Sequence, residues 1–402
     1  MHRDGQRVYA SVGTVFAPLK GPEQYRTAGW KEIAMIYGTT EESFRKAATL
    51  INRVRHQPGA TPARTLHDNT EAEGRRLSEA MEQKTTEVLV KNGFNAAGAP
   101  EVLREGYRAK AEEVPKERVE EAIGACGVGA EDVEAVRNHP LGYERPEATV
   151  NLSIDDVVTK RQKAQRTPAE GGQGEAGDAE QKRKQVHQTV VHIHQGEQAY
   201  VLNGAGVGVV LRLIIGFLLH NGLLGQRLQF FVDGQRTLHT AIVEAFSWYG
   251  NLGIVLDWYH LEKKCKELLS LGLNGRHVRN EMLAQLMPIL WYGLSEKAMA
   301  FLREIDSGSI KNRDPIEGLI GYIERNRSHI PCYAVRKQLG LRNSSNRGEK
   351  MNDLIVSDRQ KHNGMSWSKV GSVALAAVAA LKWNKEHEKW FREADVEFKL
   401  AA

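Results

Sequence analysis

The chain has 402 residues, 41% of them hydrophobic and 26% charged, which excludes a disordered or fibrous protein and implies two or three domains. Lys and Arg (55) only narrowly exceed Asp and Glu (50), and a net charge of +5 is too small to bind a polyanion on average. Polyanion binding would have to come from local patches. Three scattered cysteines, Cys126, Cys265 and Cys332, argue against a disulfide framework or a Cys-based zinc site and point to a reducing cytoplasm.

No apolar leader follows Met1. From Tyr25 to about Asn95 apolar residues recur at helical spacing, as in Trp30, Ile33, Ala34 and Tyr37. Gly38-Thr39-Thr40 is expected to break this helix, with Thr40 capping a second one that carries Phe44, Ala47, Ala48, Ile51 and Val54 on one face. A third helix is expected after Thr65. Residues 1–95 thus read as a helical domain, either a plain bundle or a helix-turn-helix with Arg45, Lys46, Arg53 and Arg55 available for phosphates. Residues 96–148, rich in Gly, Glu and Pro, read as a spacer and linker.

The pattern then changes. Thr149–Ile154 is a strand expected to end at Asp155-Asp156, and Thr189–His194 and Ala199–Leu202 form a hairpin. The glycine-bearing stretch 167–178 between them reads as a flexible insertion. Val201–Leu224 is the one apolar run that invites a membrane reading, but Arg212 and several glycines interrupt it, so a buried helix and no membrane contact are expected. Strands at 228–232 and 252–256 alternate with helices, the signature of parallel pairing in an α/β sheet. Residues 275–335 are helical, and so is the closing segment to Trp390. The final Glu397–Ala402 could be an appended scar and enters none of these elements.

Two apolar strands finish on an acid, in Phe231-Val232-Asp233-Gly234 and Val255-Leu256-Asp257-Trp258. Ligands of open α/β sheets bind beyond the carboxyl ends of parallel strands, where such acids suit a hard cation. Asp155 stands after a third apolar lead-in, with Asp156 on the opposite face because strand side chains alternate. A lone strand-end Asp is more often a turn or helix cap, yet several in one sheet weaken that reading. His192 and His194 share a strand face without a Cys or carboxylate at ligand spacing, which leaves a metal pair the weaker alternative.

The element order β-β-β-α-β-α-β, the block Val232-Asp233-Gly234-Gln235-Arg236, the block Asp257-Trp258-Tyr259-His260, the run Ser344–Asn352 and Gly364-Met365-Ser366-Trp367-Ser368 together resemble the DDE transposases of bacterial insertion sequences, in the Mutator-like group. The resemblance spans about residues 149–390. It implies a ribonuclease-H-like α/β domain (149–274 and 336–392) with an all-helical insertion (275–335), preceded by the helical N-terminal domain. It makes Asp155, Asp233 and Glu349 the catalytic acids and the ligands of two Mg²⁺ or Mn²⁺ ions, with Asp257 and His260 in support. It also implies double-stranded DNA as partner, at transposon ends and target, a homodimer or higher oligomer on that DNA, and a bacterial, nucleoid-associated location. Basic residues flank the proposed acids. Lys160, Arg161, Arg236, Arg342, Arg347 and Lys350 are the expected phosphate contacts, and Arg325, Arg327, Arg336 and Lys337 extend the second cluster. A non-catalytic DNA-binding protein, or a structure-specific nuclease on the same fold, is the alternative.

Overall fold

The computed structural model describes residues 2–3, 6–7, 28–162, 185–362 and 365–401. The 167–178 insertion, the basic residues Lys163, Arg166, Lys182, Arg183 and Lys184, and Gly364 lie outside the described residues. The protein is a mixed α/β structure built on a five-stranded sheet. Strands β1 (Thr149–Lys160), β2 (Gln185–Gln195), β3 (Gln198–Gly204), β4 (Arg227–Val232) and β5 (Leu252–Leu256) lie in the order β3-β2-β1-β4-β5. The first three are antiparallel neighbours, whereas β4 and β5 run parallel to β1. A two-residue turn, Gly196-Glu197, joins β2 to β3, with Gly196 at a positive φ of 55°.

β1 does not end at Asp155. It continues to Lys160 because the Val157-Val158 pair extends its ladder with β2, while its pairing with β4 stops at Ser153↔Phe231. From there the two parallel strands part, and Asp155 lies just beyond the split.

Each face of the sheet has its own cover. Helix α5 (Val207–His220) is apolar almost all round because it is enclosed by the sheet on one side and by the long α3 (Ala63–Lys91) on the other. Gly216 makes that approach possible, since a Cβ there would stand 2.7 Å from the Thr85 methyl. α12 (Asn346–Asn352) and α13 (Lys369–Trp383) cover the opposite face through Met351, Ala376 and Ala380. α3 also crosses α13, at Gly74, where a Cβ would sit 2.1 Å from Ala374 O. One helix therefore bridges the covers of both faces and closes the sheet beyond β3. The exposed edge of β3 is further satisfied by Asn384, whose side chain accepts from Val201 N and donates to Val201 O, both at 2.9 Å.

The two helices that precede α3 are α1 (Ala28–Thr40) and α2 (Phe44–Val54). Gly38 does not break α1. Its bare Cα fits under Phe44, where a Cβ would be 3.3 Å from the ring. Ser43, not Thr40, caps α2, accepting from Lys46 N at 3.2 Å, because the Thr40 hydroxyl donates back to Ile36 O. The third helix, α3, opens at Ala63, behind Pro62, and α4 (Lys116–Ala125) follows it in the spacer region.

Beyond β5 the chain is helical. α7 (Trp258–Gly272), α8 (Gly275–Trp291), α9 (Ser295–Arg303) and α10 (Arg313–Asn326) share a second core of leucines and isoleucines, and α11 (Tyr333–Gln338) leads back toward the sheet. α6 (Arg236–Ala245) connects β4 to β5, and α14 (His387–Glu393) follows α13. No described helix is long and apolar enough to cross a membrane.

The C-terminal residues belong to the fold and are no appendage. Phe398 is fully buried against Tyr200 and Phe217, and its N–H donates to Glu386 Oε1 at 2.9 Å. Leu400 N donates to Asn221 Oδ1, and Ala199 N to Ala401 O. The composition of the tail carries no signal of this, because what holds it is a socket formed by distant residues. Phe398→Ala is expected to cost about 3–5 kcal/mol through loss of burial and the cavity left behind. Urea unfolding of the two proteins measures it.

Candidate functional site

Asp155, Asp233 and Glu349 reach one narrow cleft from three different elements. The cleft is also lined by Ser153, Phe231, His260, Gly348 and Asn352. Asp155 points into it from β1 just past the strand split, whereas Asp156 faces away and accepts from Thr189 Oγ1 across the ladder. Asp233 follows the last residue of β4. Its Oδ1 accepts from Gln235 N at 2.8 Å, closing a short turn that Gly234 permits with φ of 84°. Tyr322 of α10 packs against Gly234, where a Cβ would be 2.8 Å from the ring, and donates its hydroxyl to Asp233 O at 2.8 Å. The helical segment beyond β5 thus touches the site at its second acid.

Glu349 lies in α12, which is set directly upon β1. A Cβ on Gly348 would meet Ser153 Cβ at 2.5 Å, so glycine is what lets the helix come down close enough to bring Glu349 to Asp155. One turn further along, Asn352 Nδ2 donates to Asp155 Oδ2 at 2.8 Å. His260, on the first turn of α7, holds Nε2 at 3.3 Å from Glu349 Oε1.

Asp257 has a different place. Its side chain is completely buried, and its carboxylate caps α7 by accepting from Tyr259 N at 2.7 Å and His260 N at 3.2 Å. The second oxygen accepts from Ser345 N, at the entrance to α12. Asp257 therefore joins α7 to the helix of Glu349 and presents no surface to DNA. Trp258 beside it packs edge-on against Trp291, 4.7 Å between centroids, and against Tyr333, so it belongs to an aromatic cluster and not to a base-stacking platform.

Two acids of the cleft are held above the usual carboxylate range. Burial raises Asp155 first, and the nearby Asp233 charge adds to it. Burial also raises Glu349, with His260 opposing the shift and Asp257 and Asp155 reinforcing it. Carboxylates from three elements converge here, and burial of Asp155 and Glu349 in particular is a cost that a hard divalent cation relieves. Among the described residues no group of three or more His, Cys, Asp or Glu side chains is drawn together closely enough to hold a metal ion. The donor types fit such an ion, and the carboxylates would have to draw closer together to bind it.

Of the expected phosphate contacts, Lys160, Arg161, Arg236, Arg347 and Lys350 are exposed and Arg342 is half-buried. Arg236 opens α6 next to Asp233, and Arg347 and Lys350 stand on either side of Glu349. Arg336 leaves the basic cluster. It is 2% exposed and forms a two-armed pair with Glu144, at 3.0 and 2.7 Å, while donating twice to Arg342 O. Arg327 pairs with Glu296 and Glu324. His192 and His194 are both buried, and burial together with the Arg342 and Arg347 charges pushes them down to about 4 and about 3, so both are neutral near pH 7.

Asn352 and Tyr322 were not anticipated from the sequence. Asn352 had a usable signal, since i and i+3 share a helix face with Glu349; Tyr322 had none. No protein-family model matches the chain, and no curated protein matches it. Among solved structures, the Drosophila P element transposase strand transfer complex aligns with 95% of this chain and 84% of its own, at 10% identity and a TM-score of 0.28. At that score the likeness carries no argument about fold or activity.

Two outcomes follow from this geometry. Asp257→Ala strands three backbone donors and is expected to cost roughly 2–4 kcal/mol in denaturant unfolding. Asp155→Asn should raise the melting temperature in chelator-treated protein at pH 7. A raised folded-state pKa means that ionising Asp155 weakens the fold, so stability is lost as pH climbs from the unfolded value of about 3.9 through the folded one. The gain of the variant should vanish below that unfolded value, and melting curves across pH test it.

Proposed function

We propose that the protein is a DDE transposase with a ribonuclease-H-like catalytic domain, acting on double-stranded DNA at the ends of an insertion sequence. The carrying observation is that Asp155 on the first strand, Asp233 after the fourth and Glu349 on a helix beyond a helical segment line one cleft. The sheet order, with three antiparallel strands followed by two parallel ones, is the order that the resemblance implies.

Asp155, Asp233 and Glu349 would hold two Mg²⁺ or Mn²⁺ ions. Bound there, the ions would supply an activated oxygen nucleophile and stabilise the oxygen that leaves the phosphodiester. The chain's own residues do the positioning. Asn352 steadies one oxygen of Asp155, the Gln235 N–H steadies Asp233, and His260 flanks Glu349. Arg236, Arg347 and Lys350, exposed beside the cleft, would take backbone phosphates and orient the scissile bond, with an affinity that falls as salt rises. Lys160, Arg161 and Arg342 extend the same role. A dimer or higher assembly would hold the two ends together.

Asp233→Asn is expected to bind DNA as the wild type does and to lose Mg²⁺-dependent cleavage of cognate ends. Cleavage at the wild-type rate by that variant sinks the proposal. Mn²⁺ at 100 times its dissociation constant should stabilise the wild-type protein by about 2.7 kcal/mol for each ion bound. DNA binding without any Mn²⁺ stabilisation would favour a non-catalytic DNA-binding protein.

A further inference from the structure

Arg359 is a charged side chain only 4% exposed, and none of the roles above uses it. It rides on the same helical rod as Glu349. α12 runs without a break into a π-helical turn, Asp353–Ser357, and then into Asp358–Gln360. No carboxylate pairs with its guanidinium in the described structure. One of its hydrogen bonds runs from Nη1 to Met365 Sδ at 3.7 Å, and two go to backbone carbonyls that lie more than 300 residues away in sequence. Nε donates to Gly38 O and Nη1 to Glu42 O, each at 3.1 Å. Gly38 stands at the end of α1 and Glu42 in the link to α2, so both acceptors belong to the junction of the N-terminal helix pair.

The guanidinium is also flanked by two rings. Its carbon lies 4.7 Å from the centroid of Phe44, the first residue of α2, and 5.3 Å from that of Trp367. Trp367 is in turn fastened to the strand of the first acid. Its N–H donates to Lys160 O at 2.9 Å, and its carbonyl accepts from Gln162 N at 2.9 Å, just past the end of β1. Its indole N–H donates to Gln360 O at 3.1 Å. The helical rod of Glu349, the strand of Asp155 and the α1–α2 junction thus meet at one side chain.

We propose that Arg359 is a positioning residue, the joint that locks the α1–α2 pair in one orientation to β1 and α12. A DNA duplex held by that pair would reach the cleft in a single register; this last step rests on the function proposed above. Lysine cannot replace arginine here. It lacks the flat fork that donates in two directions while lying against two rings.

Amide hydrogen exchange on the full chain tests the joint without DNA. In Arg359→Gln, residues 28–54 should exchange roughly tenfold faster or more, as expected for the loss of a cation packed against two rings and of two charged hydrogen bonds. β4 and β5 should keep wild-type protection, and Arg359→Lys should fall between. Phe44→Leu, which keeps most of the apolar volume, should give the same change to a lesser degree and serves if Arg359→Gln does not fold. Wild-type exchange of 28–54 in the folded variants overturns the joint, as does acceleration spread evenly over the whole sheet. With DNA, Arg359→Gln should bind as tightly as wild type but turn over bound ends more slowly at saturation, a loss in kcat without one in KM. Unchanged turnover overturns the register claim. If the wild-type protein itself cleaves nothing, the proposed function fails, while the exchange data still decide whether the joint exists.

Discussion

Asp257 stands at the end of β5 with no exposed surface, and three backbone N–H groups from two separate segments converge on its carboxylate. A buried carboxylate is costly unless its oxygens are satisfied, and here the donors are the first turn of α7 and the entrance to α12. Satisfying that charge forces the two helices together. His260 comes up beside Glu349 on one side, and Ser345 hands the chain to the helix that carries Glu349 on the other. Gly348 against Ser153 then sets the height of that helix above β1. With the cap in place, the distance between the acids follows from where β1 and β4 part.

The same logic recurs around the site. Arg336, paired with Glu144 and donating to Arg342 O, pins the loop before α12 to the spacer region. Tyr322 ties the helical segment to Asp233, and Arg359 ties the N-terminal helices to β1. Each contact is a polar group withdrawn from water whose partner is backbone or a single opposite charge. Such groups add little net stability but tolerate few alternative arrangements, which suits a site assembled from residues almost 200 positions apart.

Much of this was legible one element at a time. The alternation in Thr149–Ile154, the apolar run Leu228–Val232 and the strand-helix rhythm foretell the sheet, because burial on one or both faces leaves its own period in the residues. The acids at strand ends were legible for the same reason: an apolar run that stops on Asp marks where the chain leaves the core. The errors are equally physical. β1 outruns Asp155 because β2 keeps pairing after β4 has departed, and no local pattern records a neighbour's departure. Charge counting treated Arg336 like Arg347, yet one is buried with Glu144 and the other stands in water.

The sequence by itself determined the mixed α/β class, the apolar heart of each strand and the acids that close the apolar runs, since each depends on hydrophobic period or on side-chain identity within a short window. Only the tertiary structure decided that Asp155 faces the cleft while Asp156 bonds Thr189, that Asp257 is a buried cap, that Asn352 bonds Asp155 and Tyr322 bonds Asp233, that Arg359 bonds the α1–α2 junction, and that the last residues fill the core. Those outcomes turn on which distant group supplies a donor, an acceptor or a cavity wall. That is a property of packing, and residues far apart in the chain carry no mutual mark of it until the sheet brings them together.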